Sequence, residues 1–339
     1  MIQWFKTTLL GYVEMAQKSN ENKFHASLFP GKSRPLLPEF ASAVLGLEKE
    51  LGMPIWTLIQ DAAPAPLEIL NREVWRLFNG IENDLPKDSP IALLIDSPGG
   101  FAKESYQIAR LLVKRCGKFV ALVPRYAKSA ATLLLMGADE IYMGRHAELG
   151  PLDVQFFDAN REETVSALDT VHSLQRLKAF ALETVDEAMF LMIGRTAKKT
   201  EKVLPHTLHF VAELVKPLLD QIDVIEYTKM SRDLKVAEEY AVRLLANRNS
   251  MSQAITIASH FVEHYPEHGF FIAPEEARQV GMPVRENSEE VDNLLDQIFH
   301  LLETNQVTSF GKVVEEALGE TRNEQKKQQV HESGNSKGS

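Results

Sequence analysis

One cysteine, Cys116, is all the thiol that the 339 residues contain, so no internal disulfide can form, and ten methionines go without evident protection. Both features fit a reducing compartment and point to the cytoplasm. Basic residues are in deficit: 37 Lys and Arg against 47 Asp and Glu give a formal net charge of -10. The chain as a whole thus offers no basic footprint for a phosphate backbone, which argues against nucleic acid as the main partner. Long apolar runs are missing too. The longest, residues 130–138, falls well short of the roughly 20 residues a bilayer demands. The patch at residues 8–13 meets Glu14 too early for a secretory leader. No membrane span is expected, and the amphipathic N-terminus reads as a docking helix or a frayed end. Walker-type phosphate loops are absent, so any ATPase that delivers substrate has to be a separate partner.

What is present is an ordinary globular balance, 44% hydrophobic and 25% charged. Residues 1–50 read as an N-terminal extension, with a helix to about Lys18, a polar linker Ser19–Lys23 and a stretch punctuated by Pro30, Pro35 and Pro38. From Met53 short apolar runs alternate with amphipathic stretches, the pattern of βα units on a mostly parallel sheet. Strands are expected at Ile55–Ile59, Ile91–Ile95, Phe119–Val123 and Glu140–Met143, and helices at Ala65–Ile81, Lys103–Arg115 and Ser129–Met136. After Pro151 strands are expected to stop, and residues 160–250 read as helical, an oligomerisation arm or a lid over a cleft. A short strand at Phe270–Ile272 and a helix at Glu275–Val280 close a domain of residues 51–285. C-terminal helices are expected in 286–318, and a polar tail at 319–339 that cannot offset the entropy of ordering.

Two stretches carry chemistry. In Leu93-Leu94-Ile95-Asp96-Ser97-Pro98-Gly99-Gly100 an apolar strand runs into a Pro-Gly-Gly turn, and side-chain-free backbone N–H groups there suit an oxyanion; a plain turn is the simpler use. In the second, a strand at Phe119–Val123 leads through a short loop to Ser129, which opens a helix beginning Ala130-Ala131-Thr132. A serine in the positive field at a helix start can be stabilised as it loses its proton, or can simply cap the helix. Gly99 and Ser129 lie 30 residues apart with one helix and one strand between them, which brings both loops to one edge of the sheet.

Together these stretches resemble the Clp protease proteolytic subunit and its crotonase-fold relatives. The serine dehydrogenase proteinase family is the nearest in pattern, through Leu-Leu-Ile-Asp-Ser-Pro-Gly-Gly100, Ala-Lys-Ser129-Ala-Ala-Thr, Gly-Ala-Asp-Glu-Ile-Tyr-Met-Gly144, Leu-Gly-Pro-Leu-Asp153 and Glu-Glu-Ala-Arg-Gln-Val-Gly281. The resemblance covers about residues 50–285 and is most specific over 90–155. It implies a Clp/crotonase-like α/β fold with a helical extension and a serine peptidase that needs no metal or organic cofactor. Ser129 would be its nucleophile, and the backbone N–H of Gly99 or Gly100 and of Ala130 its oxyanion donors.

The Clp-type histidine, about 25 residues after the serine, is absent. The family's Ser, Asp, His order then implies Asp153 as the orienting acid, which could equally be a turn or capping carboxylate. It also implies His268 as base, ahead of Gly-Phe-Phe-Ile-Ala-Pro-Glu-Glu-Ala-Arg278, with His264 second. A Ser/Lys dyad like that of signal peptide peptidases would instead call on Lys178. Lys128 is too close in sequence to serve Ser129 and is more apt to meet a substrate carboxylate. His206 and His209 have no further ligand at metal spacing, and Asp96 is expected to hold its turn. Two other functions stay open: a crotonase-like acyl-CoA enzyme, which needs the oxyanion site but no nucleophile, and a non-catalytic assembly module. Folds of the resembled type form rings or trimers, so a homo-oligomer acting on protein or peptide is expected.

Overall fold

In a computed structural model of the protein, the described residues are 24–28, 35–158 and 163–315, without the side chains of 155–158 and 163–165. The expected N-terminal helix and linker and the polar tail lie outside them. In chain order the elements are β1 (Phe24–Ala26), α1 (Pro38–Leu51), β2 (Ile55–Ile59), α2 (Arg72–Gly80), β3 (Pro90–Asp96), α3 (Ala102–Arg115), β4 (Lys118–Val123), β5 (Tyr126–Ala127) and α4 (Ala130–Leu135). There follow β6 (Glu140–Met143), β7 (Glu148–Leu149), β8 (Gln155–Asp158), β9 (Glu163–Ser166), α5 (Ala167–Thr196), α6 (Thr200–Leu219), α7 (Val224–Leu245), α8 (Met251–Glu263), α9 (Pro274–Val280), α10 (Glu289–Thr304) and β10 (Ser309–Glu315).

The main sheet has the order β1-β10-β2-β3-β4-β6. β2, β3, β4 and β6 run parallel, while β10 and β1 are antiparallel additions at one side. Alternate residues of a strand face opposite sides. Leu58, Leu93, Ile95, Ala121 and Val123 point into one core with α2, α3, α4, α7 and α8. Ile55, Ile59, Ala92, Leu94, Val120 and Leu122 point into a second core with α1 and α10. Both faces are covered, which is why these strands read as unbroken apolar runs rather than alternating ones. The architecture is the expected one: α/β, a mostly parallel sheet, and a helical extension formed by α5, α6 and the start of α7. Among the described residues no helix is long and apolar enough to cross a membrane.

Several local expectations need correcting. The stretch assigned to an N-terminal extension ends in α1, whose Phe40, Val44 and Leu47 are fully buried, at roughly 1.5–3 kcal/mol for each side chain. The helix expected from Ala65 starts at Arg72, because the Asn71 side chain accepts the N–H groups of Glu73 and Val74 and Leu70 is held extended beside Gly100. Strands do not stop at Pro151: β8 and β9 pair antiparallel ahead of α5. The 286–318 stretch holds one helix and then β10, which supplies β2 with a hydrogen-bonding partner that no helix could. Ile272 forms a single bridge to Leu149 rather than a strand.

Candidate active site

The carboxyl ends of β3 and β4 lie side by side, so the segments that leave them meet at one edge of the sheet. They are laced together. Ser97 N–H donates to the Tyr126 carbonyl at 3.1 Å and Lys128 N–H to the Ser97 carbonyl at 3.0 Å. Ser97 Oγ donates to Gln60 Oε1 at 2.5 Å and accepts Gly99 N–H at 3.1 Å. Below this lacing, buried Asp96 takes two hydrogen bonds from Arg125, at 3.0 and 2.8 Å. Arg125 also reaches Asp61 at 2.6 Å and Glu303 at 3.1 Å. Burial pushes the Asp96 carboxyl up, with Arg125 opposing. Asp96 was expected to hold its turn, but its bonds run to Arg125 and the Tyr126 main chain on the neighbouring loop, and the Gly99 N–H is held by Ser97 instead.

Gly99, at φ 100°, has room for no side chain: a Cβ there would stand 2.5 Å from the Lys128 carbonyl oxygen and 3.0 Å from the Ser129 Cβ. The Pro-Gly-Gly turn therefore lies in direct contact with the serine loop. Gly100 runs beside Leu70, and the bonds of that bridge are made by the Gly99 carbonyl and the Phe101 N–H. The N–H of Gly100 is thereby turned to the other side.

Ser129 has φ 50° and ψ -118°, a backbone conformation that residues with a Cβ rarely adopt. It stands at the N-terminus of α4, yet its hydroxyl makes no capping bond, so the simpler capping role is not what the residue does. Neither the Gly100 nor the Ala130 N–H donates a hydrogen bond among the described residues, whereas that of Gly99 is taken by Ser97. Thr132 locks the helix start to the next turn: its hydroxyl contacts the carbonyls of Ala127 at 2.7 Å and Gly150 at 2.9 Å and lies 3.1 Å from the Gly150 N.

Beyond that turn sits Asp153, 3% exposed. Its Oδ1 accepts the Leu168 N–H at 3.2 Å at the start of α5, and the Ser166 side chain is a second partner. Burial pushes its carboxyl up against these bonds and against the nearby His268. His268 is half-buried, and its Nδ1 is buried with no hydrogen-bond partner. Burial lowers its pKa; the Asp153 carboxylate and main-chain carbonyl oppose this, and Lys128 adds to it. Asp153 and His268 are thus neighbours across 115 residues of sequence, although no hydrogen bond joins His268 to Ser129 among the described residues.

Other candidates lie elsewhere. His264 is exposed at the end of α8, stacked on His260 with ring centres 4.6 Å apart. Lys178 is exposed on α5, and His206 and His209 on α6; no metal-ligating cluster of three or more exists among the described residues. Lys128 is not free for a substrate carboxylate, because its Nζ lies 2.9 Å from Glu148 Oε2. Sequence reading missed the Arg125 network and the Lys128–Glu148 pair. A basic residue in the loop just past a strand whose neighbour ends in Asp96 was the signal for the first.

Residues 72–230 match the family described as ClpP-like SDH-type serine proteinase; this span includes Gly99, Gly100, Ser129, Ala130 and Asp153 but not His268. Among curated proteins, two uncharacterized proteins of Methanocaldococcus jannaschii are similar. One is 26% identical over 212 residues, 62% of this chain and 59% of the relative; the other is 44% identical over 70 residues, 21% of this chain and 24% of the relative. The chain thus spans less than two thirds of the length of each. Among solved structures, a point mutant of ClpP1 from Listeria monocytogenes aligns with 12% identity over 72% of this chain and 99% of that one, with a TM-score of 0.35. Over residues 72–230 the chain carries the pattern of the ClpP-like SDH-type serine proteinases, the family its motifs resemble.

Proposed function

We propose that the chain is a serine peptidase that cleaves protein or peptide through an acyl-enzyme on Ser129. One observation carries the reading. Ser129 holds its hydroxyl uncommitted in a strained turn, in contact with Gly99, where two backbone N–H groups, those of Gly100 and Ala130, are also uncommitted. Oxyanion stabilisation asks for such a pair of donors. With Gly99 N–H taken by Ser97, the donor role narrows to Gly100 on that loop. Ser129 Oγ attacks the peptide carbonyl, His268 receives its proton and passes it to the leaving amine, and water then releases the acyl group. Asp153 supplies a buried negative charge beside the imidazole. No bound group is needed for these steps, and the one cysteine suits a reducing, cytoplasmic setting.

The test is the rate at which a fluorophosphonate probe labels Ser129. His268→Ala is expected to slow labelling by about 10²–10⁴-fold, the usual share of a general base, while His264→Ala and Lys178→Ala leave it within twofold. Loss of labelling in Lys178→Ala with His268→Ala unaffected would move the role to the lysine. No labelling at all would favour the acyl-CoA or assembly-module readings. In the intact protein the base must be neutral, and its pKa is held below the ordinary 6.5 of a histidine. Labelling should therefore persist below pH 6.5 and fall only as the pH drops through that lowered value.

Homo-oligomerisation is part of the same proposal. α5 and α6 expose Phe180, Phe190, Leu208, Phe210 and Leu214, with Phe190 80% accessible, and Ile225 at the start of α7 is 84% accessible. Apolar area of this kind marks a contact surface. Light scattering should find an assembly of several copies, and Phe190→Glu with Phe210→Glu should reduce it to smaller species without unfolding the sheet domain.

A further inference from the structure

Lys128 is the residue that the proposed chemistry leaves without a task. It precedes Ser129, yet its side chain is only 17% exposed and folds back into the protein. Its Nζ stands at the junction of three segments: 2.9 Å from Glu148 Oε2, 3.4 Å from the Leu149 carbonyl and 3.5 Å from the Phe270 carbonyl. Glu148 and Leu149 lead into the turn that carries Asp153, and Phe270 lies two residues after His268. Leu149 and Ile272 exchange both backbone hydrogen bonds, at 3.0 and 3.2 Å, so the second and third segments are already zipped. Lys128 adds the first. Gly150 allows the approach, since a Cβ there would come within 2.8 Å of Lys128 Cδ.

We infer that Lys128 is a positioning residue of this site: pinned by Glu148, its ammonium ties the segment bearing His268 to the loop bearing Ser129 and keeps a fixed positive charge near the imidazole. The inference rests on the proposed peptidase reading and adds to it a tie between the two segments that bear nucleophile and base, which make no bond to each other here. The charged groups that act on His268 are the Asp153 carboxylate, which favours imidazolium, and Lys128, which disfavours it; Glu148 tempers Lys128. Lys128→Met keeps the aliphatic stem and removes the charge. Glu148→Gln keeps the shape and leaves the ammonium uncompensated.

Opposite shifts are therefore expected in the pH dependence of fluorophosphonate labelling. In Lys128→Met the acid-limb midpoint rises by roughly 0.5–1 pH unit, because a cation that opposed imidazolium is gone. In Glu148→Gln it falls, because that cation acts undiminished. Lys128→Arg, a bulkier cation, is expected to keep the midpoint near that of the unaltered protein. Labelling at a fixed pH above both midpoints should slow about tenfold in Lys128→Met, since the tether is lost as well. Midpoints that stay put in both variants, or that move the same way, overturn the inference even if the rates fall, because scaffold damage alone gives no sign reversal. Glu148→Gln and Lys128→Arg keep the test available should Lys128→Met fold poorly. Ser129 labelling in the unaltered protein together with loss of base function in His268→Ala separates the two claims. If those controls fail, the peptidase reading fails; if they hold and the midpoints do not move, only Lys128's role does.

Discussion

Ser129→Ala is expected to lower peptide hydrolysis at least about 10⁴-fold while the folded protein barely changes in stability. Removing a nucleophile that works together with a base abolishes most of what both contribute, and the two oxyanion N–H groups alone sustain only residual turnover. The stability side discriminates just as sharply. A serine that caps a helix costs about 1 kcal/mol when replaced by alanine. Ser129 makes no such bond, so its loss should cost under about 0.5 kcal/mol. Ser129→Gly goes further: glycine tolerates the positive φ, so this inactive protein should be more stable by roughly 1 kcal/mol. Hydrolysis assays paired with urea unfolding read both quantities. A Ser129→Ala protein that is destabilised yet active would return Ser129 to the capping role and dismiss the peptidase proposal.

The largest expected stability effect lies beneath the site. Arg125→Met leaves Asp96, which is wholly buried, without its two guanidinium hydrogen bonds. Breaking one side of a buried pair typically costs about 3–5 kcal/mol, because the charge left behind is stranded. Asp61 stands on the same guanidinium and loses its 2.6 Å contact as well. The stranded carboxyl can escape by taking up a proton: burial already holds its folded pKa above the unfolded value, and losing the opposing Arg125 raises it further. The sign follows: a raised folded pKa stabilises below the unfolded value and is lost as the pH climbs through the raised one. The variant's deficit should thus be smallest near pH 4 and grow towards neutrality. A pH-independent deficit of under about 1 kcal/mol would show that water or Tyr126 already compensates Asp96.

Reading the sequence succeeded where one local rule governs the outcome. β2, β3 and β4 were evident because doubly covered strands are bounded, largely apolar runs, and the edge strand β6 because its apolar Ile141 and Met143 alternate with half-buried Glu140 and Tyr142. The meeting of Gly99 and Ser129 was evident because both follow neighbouring parallel strands. Failures share a cause as well. β10 has Ser309 and Glu315 at its ends and Gly311 within, so it reads as tail, and only an open edge on β2 gives it a place. α1 hides behind Pro30, Pro35 and Pro38, and its apolar face gains meaning only from α10 across the second core. Arg125 with Glu303 and Lys128 with Phe270 join positions more than 140 residues apart, a distance over which periodicity carries no information. Asp153 and His268 came from the family resemblance, not from spacing.

β10 closes the sheet from the far end of the described chain, with Thr57 Oγ1 2.7 Å from Ser309 Oγ and Phe310 fully buried. During synthesis, then, β2 emerges some 250 residues before the strand that will cover it. Until that late partner leaves the ribosome, the growing polypeptide shows an unsatisfied row of amides and carbonyls to its surroundings, the kind of rim on which nascent chains stick to one another. Shielding of that rim until β10 arrives is expected to raise the yield of folded protein.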